Sequence, residues 1–287
     1  MRDLLGLLLV AVAAITWGTT GTTLKLIGSD SATTPLVVGA IRMLVAAPLL
    51  VATALLAGQP LRLSKPTLGT GACMAAYQMC YFSAVPLAGV AATALLAICS
   101  APVLIAVLAR LLLAERFTAQ RLTALALGVV GAALLVTGVG IQPSAGPGFV
   151  LGALLALGAG LSYSLYAVVT KRSLASGDPH GLAALTFSAA AVVLLPFLVT
   201  NAAEAATLAS QAWPLLLYLG LLPTAVAYAL YTRALRHVPA TAAAVVGLLE
   251  PLTATLLGTL LFGETLSSVG LVGALLLLTA VVVLALR

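Results

Sequence analysis

Long apolar runs alternate along this chain with short breaks at Gly, Pro and clustered charge. Residues 66–109 and 122–170 contain no Asp, Glu, Lys or Arg. Each run is too long for one bilayer span of about 20 residues but fits two. The runs lack the every-other-residue polarity of a barrel strand, so each span must satisfy its own backbone hydrogen bonds as a helix. The breaks predict ten helices, roughly 4–26, 34–57, 67–86, 91–113, 120–138, 148–171, 181–200, 212–235, 240–262 and 267–286. Connections are short, with no segment left for a soluble domain. Arg2 followed by the apolar stretch Leu4 to Ile15 imitates a signal peptide, but Thr16, Trp17 and Gly18 carry it to full span length, and it is read as the first helix.

Composition strengthens the pattern. Hydrophobic residues make up 62% of the 287 positions and charged residues 7%, with a mean hydropathy of +1.21. Too few polar side chains remain to cover a soluble surface, which places the chain in a lipid bilayer. The net charge of +6 then reads as orientation rather than nucleic-acid binding. With the N-terminus in the cytoplasm, Arg2, Arg62, Lys65, Arg110, Arg116, Arg121, Lys171, Arg172, Arg233, Arg236 and Arg287 fall on the inner side or in adjoining helix ends. Only Lys25 falls on the outer side, and Arg42 lies within a span. This bias predicts that both termini are cytoplasmic.

Between the fifth and sixth helices, Gly138 to Gly148 packs four glycines and two prolines into eleven residues. It reads as a linker (139–147) between two copies of one unit, 1–138 and 148–287. Thr16-Trp17, with Lys25 eight residues after the tryptophan, matches Ser162-Tyr163, with Lys171 eight residues after the tyrosine. Tyr81 and Ala84 match Tyr231 and Ala234, and Pro102 and Glu115 match Pro251 and Glu264 at the same interval. Five spans per copy is an odd number, so the second copy enters the membrane from the opposite side. The expected fold is an all-α integral membrane protein of ten transmembrane helices, built as two inverted five-helix repeats. Such repeats can exchange shapes and open a midplane site to either side in turn.

The Trp17-Gly18 pair, Lys25, Arg42, and the run from Tyr231-Thr-Arg-Ala-Leu through Glu250-Pro251 to Gly263-Glu264 resemble the drug/metabolite transporter superfamily, in its ten-helix branch with two EamA-type repeats. The resemblance covers nearly the whole chain. It implies a basket of helices around a central cavity, with helices four, five, nine and ten as a packed base, and is closest in layout to bacterial exporters of amino acids, aromatic ones included. Copy one has Ala101 where copy two has Glu250, so a carboxylate role is not symmetric.

Six of the seven tyrosines form pairs inside spans, Tyr77 with Tyr81, Tyr163 with Tyr166, and Tyr228 with Tyr231, each pair on one helix face. Such rings can stack on or hydrogen-bond an organic substrate while keeping walls apolar. Interfacial anchoring is the competing reading; it fits Tyr231 and Tyr218, whereas cavity lining fits Trp17, Tyr77 and Tyr163. Glu250 falls near the midplane, where a bare carboxylate costs at least a few kcal/mol, and Arg42 is the other ionisable residue that deep. Two readings stand: a structural role, as an Arg42–Glu250 pair or with Arg42 capping broken backbone, or a Glu250 that holds a substrate ammonium or exchanges a proton. Pro102 and Pro251 each free a carbonyl mid-span, as kinks or hinges, and Ser100 lies next to such a kink as a substrate contact. Glu115 and Glu264 read as capping or loop-pairing residues. Small residues Ala124, Gly128 and Ala132, with Gly270 and Ala274, read as packing faces, and Cys73, Cys80 and Cys99 as packing.

The leading function is a secondary carrier of small organic metabolites, most simply amino acids, exported across a bacterial inner membrane by alternating access. A multidrug, nucleoside or sugar exporter, with proton coupling at Glu250, is the alternative. His180 and His237 are loop residues without a catalytic or metal-binding constellation, which argues against an enzyme. An ion channel lacks a charged ring or filter. The expected partners are a small-molecule substrate and the bilayer, with no nucleic acid, cofactor or metal; a monomer and a homodimer are both compatible with the sequence.

Overall fold

A computed structural model describes residues 2–28, 34–138, 148–175 and 177–286. The expected linker at 139–147 and Arg287 lie outside the described residues. The helices are α1 (Arg2–Ile27), α2 (Thr34–Leu56), α3 (Lys65–Ala88), α4 (Val90–Leu112), α5 (Ala119–Gly138), α6 (Phe149–Ser173), α7 (Pro179–Thr200), α8 (Ala202–Gly220), α9 (Ala227–Ala234), α10 (Ala240–Gly247), α11 (Leu249–Phe262) and α12 (Ser268–Ala285). A π-helical segment, Leu221–Val226, joins α8 to α9, and a single residue, Leu248, separates α10 from α11. The described helices therefore form ten spans.

Starts are set by local chemistry. Ser64 and Thr67 form a capping box that spans Pro66 at the start of α3. Asp178 accepts from the His180 N–H at 2.8 Å to begin α7, and Ser267 caps α12 through the Gly270 N–H.

Two boundaries differ from the sequence expectation. The eighth span begins at Ala202 rather than 212 and runs 33 residues to Ala234. Its first turns carry Glu204, Ser210 and Gln211, which imitate a loop. Glu204 is in fact used, accepting from Thr34 Oγ1 at 2.6 Å, and the helix bends at Ala212 (φ −129°, ψ 23°) just before Pro214. The ninth span is not continuous. Pro251 has no N–H for the Gly247 carbonyl, and the chain tightens at Leu248, whose N–H bonds to Val245 O at 3.1 Å. Pro102, its repeat counterpart, sits inside an unbroken α4.

The helix pairings obey the exchange of the two copies. The α3–α6 and α4–α6 packings are matched by α1 against the eighth and ninth spans, and α3–α7 is matched by the eighth span against α2; α2–α7 and α5–α12 are self-matching pairs about the pseudo-twofold. Helices α4, α5, the α10–α11 break and α12 enclose their own core of Cys99, Ala132, Leu135, Leu248, Ala274 and Leu277, which is the packed base the resemblance implies. Side chains facing outward are large and apolar, such as Leu56, Val150, Leu154, Val192 and Leu260. This is a bilayer-facing surface. Nine of the spans are long and apolar enough to cross a membrane on those grounds alone, counted over the described residues. The exception, α3, carries its polar groups inward: Thr70 and Thr186 hydroxyls share a hydrogen bond at 2.7 Å, and Gln78 Nε2 donates to Gly39 O at 3.4 Å.

The α5–α12 contact depends on glycine. A Cβ added at Gly131 would lie 2.7 Å from Leu277 N and 2.8 Å from Gly273 O, both backbone atoms that cannot rotate away. Gly131→Ala is therefore expected to destabilise the fold by about 1–3 kcal/mol through forced separation of the helices. The midpoint of thermal unfolding in detergent measures this; Gly69→Ala, where an added Cβ meets nothing within 4 Å, is the control and should leave it unchanged.

Candidate substrate cavity

The start of α1 and the end of α12 lie on one face of the ten-span bundle, called here the terminal face, and the other is the distal face. A cavity of about 280 Å³ runs from mid-bundle toward the distal face. Its distal walls come from Thr20, Gly21 and Leu24 of α1, Val85 of α3, Ala94 and Ala97 of α4, Val136 of α5 and Glu264 after α11. Its floor is aromatic.

Trp17 is the hub of that floor. Its ring centroid lies 4.9 Å from Tyr228 and 6.3 Å from Tyr163, and Tyr77 bridges Tyr163 and Tyr81 at 5.7 Å each. Trp17, Tyr77, Tyr81, Tyr163 and Tyr228 all line the cavity. Beneath them, toward the terminal face, Tyr166, Tyr231 and Phe187 are fully buried and pack on Trp17, Tyr163 and Tyr228. These rings seal the cavity from the terminal side.

Four sequence expectations change here. Tyr166 belongs to the seal and not to the wall. Tyr231 is buried, because Leu235 and Val238 behind it are themselves enclosed, so it is no interfacial anchor. Tyr218 donates to Thr19 Oγ1 at 2.8 Å and ties α8 to α1 instead of anchoring. Ser100 also misses the wall. Gly160 lets α6 press on α4 beside the Ser100 hydroxyl, which turns back to Ala97 O at 3.3 Å.

Arg42 and Glu250 both line the cavity, yet no ion pair within 4 Å joins them among the described residues. Arg42 is only 5% exposed and is braced from behind, its Nε donating to Thr224 Oγ1 at 3.0 Å. The brace follows from Pro223. Lacking an N–H, Pro223 leaves the Leu219 carbonyl unpaired, the helix widens to π, and the Thr224 hydroxyl donates to Leu219 O at 2.7 Å. That geometry aims the rest of the guanidinium into the cavity. Glu250 follows the Leu248 break and makes no hydrogen bond among the described residues. Pro102 and Pro251 line the wall beside it.

Sequence reasoning missed Gln78. It is 1% exposed, lines the cavity, and its Oε1 has no hydrogen-bond partner among the described residues; the same holds for Trp17 Nε1. An unpaired buried polar atom costs about 1–3 kcal/mol, and both of these belong to residues that line the cavity. A lone Gln in the charge-free stretch 66–109 was the available signal. Among the described residues no group of three or more His, Cys, Asp or Glu side chains is placed to hold a metal.

Arg42 offers fixed donors, Glu250 an acceptor of opposite charge, and the rings supply π-faces between them. Such a site suits a small molecule with separated charges or polar ends and an apolar body.

Comparison with known proteins agrees with this architecture. A crystal structure 21% identical in sequence shares the fold, with a TM-score of 0.79 over 97% of this chain and 96% of its own. The uncharacterized transporter YwfM of Bacillus subtilis is 34% identical over 284 residues, 96% of this chain and 92% of that protein. An uncharacterized transporter of Archaeoglobus fulgidus is 30% identical over 203 residues, 71% of this chain and 70% of that one. One family model, described as the EamA-like transporter family, matches twice in tandem, over residues 4–137 and 150–286. With both halves matched, the chain belongs to the EamA-like transporter family, as a multi-pass membrane transporter and not an enzyme.

Proposed function

We propose that this transporter carries amino acids, aromatic ones included, out of the bacterial cytoplasm by alternating access, with its terminal face cytoplasmic. The observation that carries the reading is that two side chains of opposite charge type, Arg42 and Glu250, face one aromatic-walled cavity with no ion pair within 4 Å between them among the described residues. Arg42, braced by Thr224, takes the substrate carboxylate. Glu250 takes the ammonium, with Gln78 Oε1 as a further acceptor and the faces of Tyr77, Tyr81, Tyr163 and Tyr228 around the side chain. Trp17 forms the floor. The cavity, at about 280 Å³, is at the small end of ligand sites, roughly 300–1,000 Å³, which favours a single amino acid over a bulky drug. The basic residues gathered on the terminal face support its cytoplasmic placement.

The test is uptake of labelled amino acids into proteoliposomes holding the purified protein, with and without a pH gradient. Saturable uptake absent from empty vesicles is expected. The gradient separates facilitated diffusion, which it leaves unchanged, from proton exchange, which it drives. Folded, reconstituted protein that moves no amino acid would contradict the assignment and bring nucleosides, sugars and cationic drugs forward.

A further inference from the structure

The two faces of the protein use repeat-related residues in different ways, and the difference describes a latch. Glu115 and Glu264 each follow a residue in left-handed conformation, Ala114 (φ 53°) and Gly263 (φ 67°). Each glutamate's own N–H reaches back across the helix end at 3.2 Å, to Ala109 O and Gly258 O respectively. Lys171 and Lys25 stand eight residues after the repeat-related rings Tyr163 and Trp17. The two Lys and Glu couples are therefore presented alike.

On the terminal face both reach across to the α9–α10 corner. Glu115 caps α10, accepting from Ala240 N at 2.7 Å and from Thr241 Oγ1 at 3.0 Å. Lys171 Nζ donates to Val238 O at 2.8 Å and to Leu235 O. This face is shut.

On the distal face the same couple pairs with itself. Lys25 Nζ lies 2.8 Å from Glu264 Oε1, with both side chains substantially exposed, and stacks over Phe262 at 4.0 Å. Carrying the Tyr81 to Tyr231 correspondence along the chain sets Val85 and Ala88 opposite Leu235 and Val238, and Val90 and Ala91 opposite Ala240 and Thr241. The N-cap of α4 is Gly89, which has no side chain to offer the first N–H groups of that helix. Glu264 borders the same cavity mouth as Val85 and Ala94 on the facing wall.

We propose that Lys25 and Glu264 are the latch of the distal mouth, and that their mutual ion pair marks its open state. Closing moves the Glu264 carboxylate onto the Val90 and Ala91 N–H groups and the Lys25 ammonium onto the Val85 and Ala88 carbonyls. As the distal mouth closes, Glu115 and Lys171 leave the α9–α10 corner and pair with each other across the terminal-face groove that they both line. The inference rests on the alternating-access reading above but not on the choice of substrate. An exposed ion pair and a helix cap are both modest interactions, so neither arrangement traps the protein. One difference biases the resting state. Thr241 gives Glu115 a hydroxyl contact, whereas Ala91 has none to give Glu264, which leaves the closed distal latch one hydrogen bond poorer than the closed terminal one.

The test follows the labelling of Thr255→Cys, the single cysteine on the cavity wall, by a membrane-impermeant maleimide. The background is the full chain with Cys73, Cys80 and Cys99 replaced by Ser, in sealed vesicles of known orientation. Ala91→Thr, which supplies the missing hydroxyl, should slow labelling from the distal side about three- to tenfold, and adding Glu264→Gln should remove the slowing. Thr241→Ala should raise labelling from the terminal side. The charge swap Lys25→Glu with Glu264→Lys restores the ion pair but reverses both docking contacts, so it should stay labelled from the distal side and lose uptake. Unchanged labelling in both Ala91→Thr and Thr241→Ala, or normal uptake by the swap, would overturn the latch. Labelling needs no substrate, so a wrong substrate assignment shows only in the uptake assay. A reporter never reached from the terminal side in any variant would instead overturn alternating access itself.

Discussion

Replacing Glu250 by Gln is expected to lower amino-acid uptake at least tenfold, and Arg42→Gln at least as far, with both proteins still folded and reconstituted. Glu250→Gln keeps the shape of the side chain and removes its charge, whereas Arg42→Gln removes the charge together with the guanidinium and its bond to Thr224. A hydrogen bond to a charged group contributes about 1.5–3 kcal/mol, and each 1.4 kcal/mol is about tenfold in affinity. The two losses should differ in kind. Without Glu250, uptake of the amino acid falls while a deaminated acid of the same side chain binds no worse. Without Arg42, the corresponding amine is the ligand spared. Thr224→Val belongs to the same prediction, since it removes the brace on the Arg42 Nε and leaves the Leu219 carbonyl unpaired. Its expected signature is a raised KM with Arg42 intact. If Arg42 and Glu250 served only to hold helices together, Glu250→Gln would shift the unfolding midpoint and leave uptake per folded molecule unchanged.

Trp17→Ala is expected to be the most destabilising single change at the site, by about 3–5 kcal/mol. Trp17 is 5% exposed and its ring meets Tyr163, Tyr228 and Tyr231 within 6.3 Å, so truncation opens a void between three spans. Trp17→Phe separates packing from polarity. It keeps most of the ring contacts and removes Nε1, which has no partner among the described residues. Thermal unfolding of Trp17→Phe should stay near the parent while its uptake falls. An unfolding midpoint as low as that of Trp17→Ala would place the importance of the residue in packing alone.

Much of this site is readable from spacing. The tyrosine pairs at intervals of three and four put two rings on one helix face, and Trp17 joins them because the repeats align Trp17 with Tyr163. Glu250 is conspicuous through depth alone, as a carboxylate in a span centre. What spacing does not carry is helix phase against neighbours. Ser100 sits two residues from Pro102, yet the close approach of α6 at Gly160 turns its hydroxyl away from the cavity. Tyr231 lies near a helix end in sequence, but the α9–α10 corner folds Val238 inward and buries it. The brace on Arg42 was written in Pro223-Thr224, a proline in mid-span followed by a hydroxyl able to replace the missing donor, and it becomes legible only when the orphaned Leu219 carbonyl is followed. Repeat symmetry was legible as sequence, but its departure from symmetry at Lys25 and Glu264 is a property of the folded state.

The most direct test of the central claim, that Arg42 and Glu250 together recognise both ends of an amino acid, is competition against labelled amino-acid uptake in proteoliposomes. Three unlabelled competitors with one shared side chain are compared: the amino acid, the amine lacking its carboxylate, and the acid lacking its ammonium. The account predicts strong competition by the amino acid and at least tenfold weaker competition by each of the others. Equal competition by all three would contradict it, leaving the aromatic floor to select the side chain with no reading of the charges.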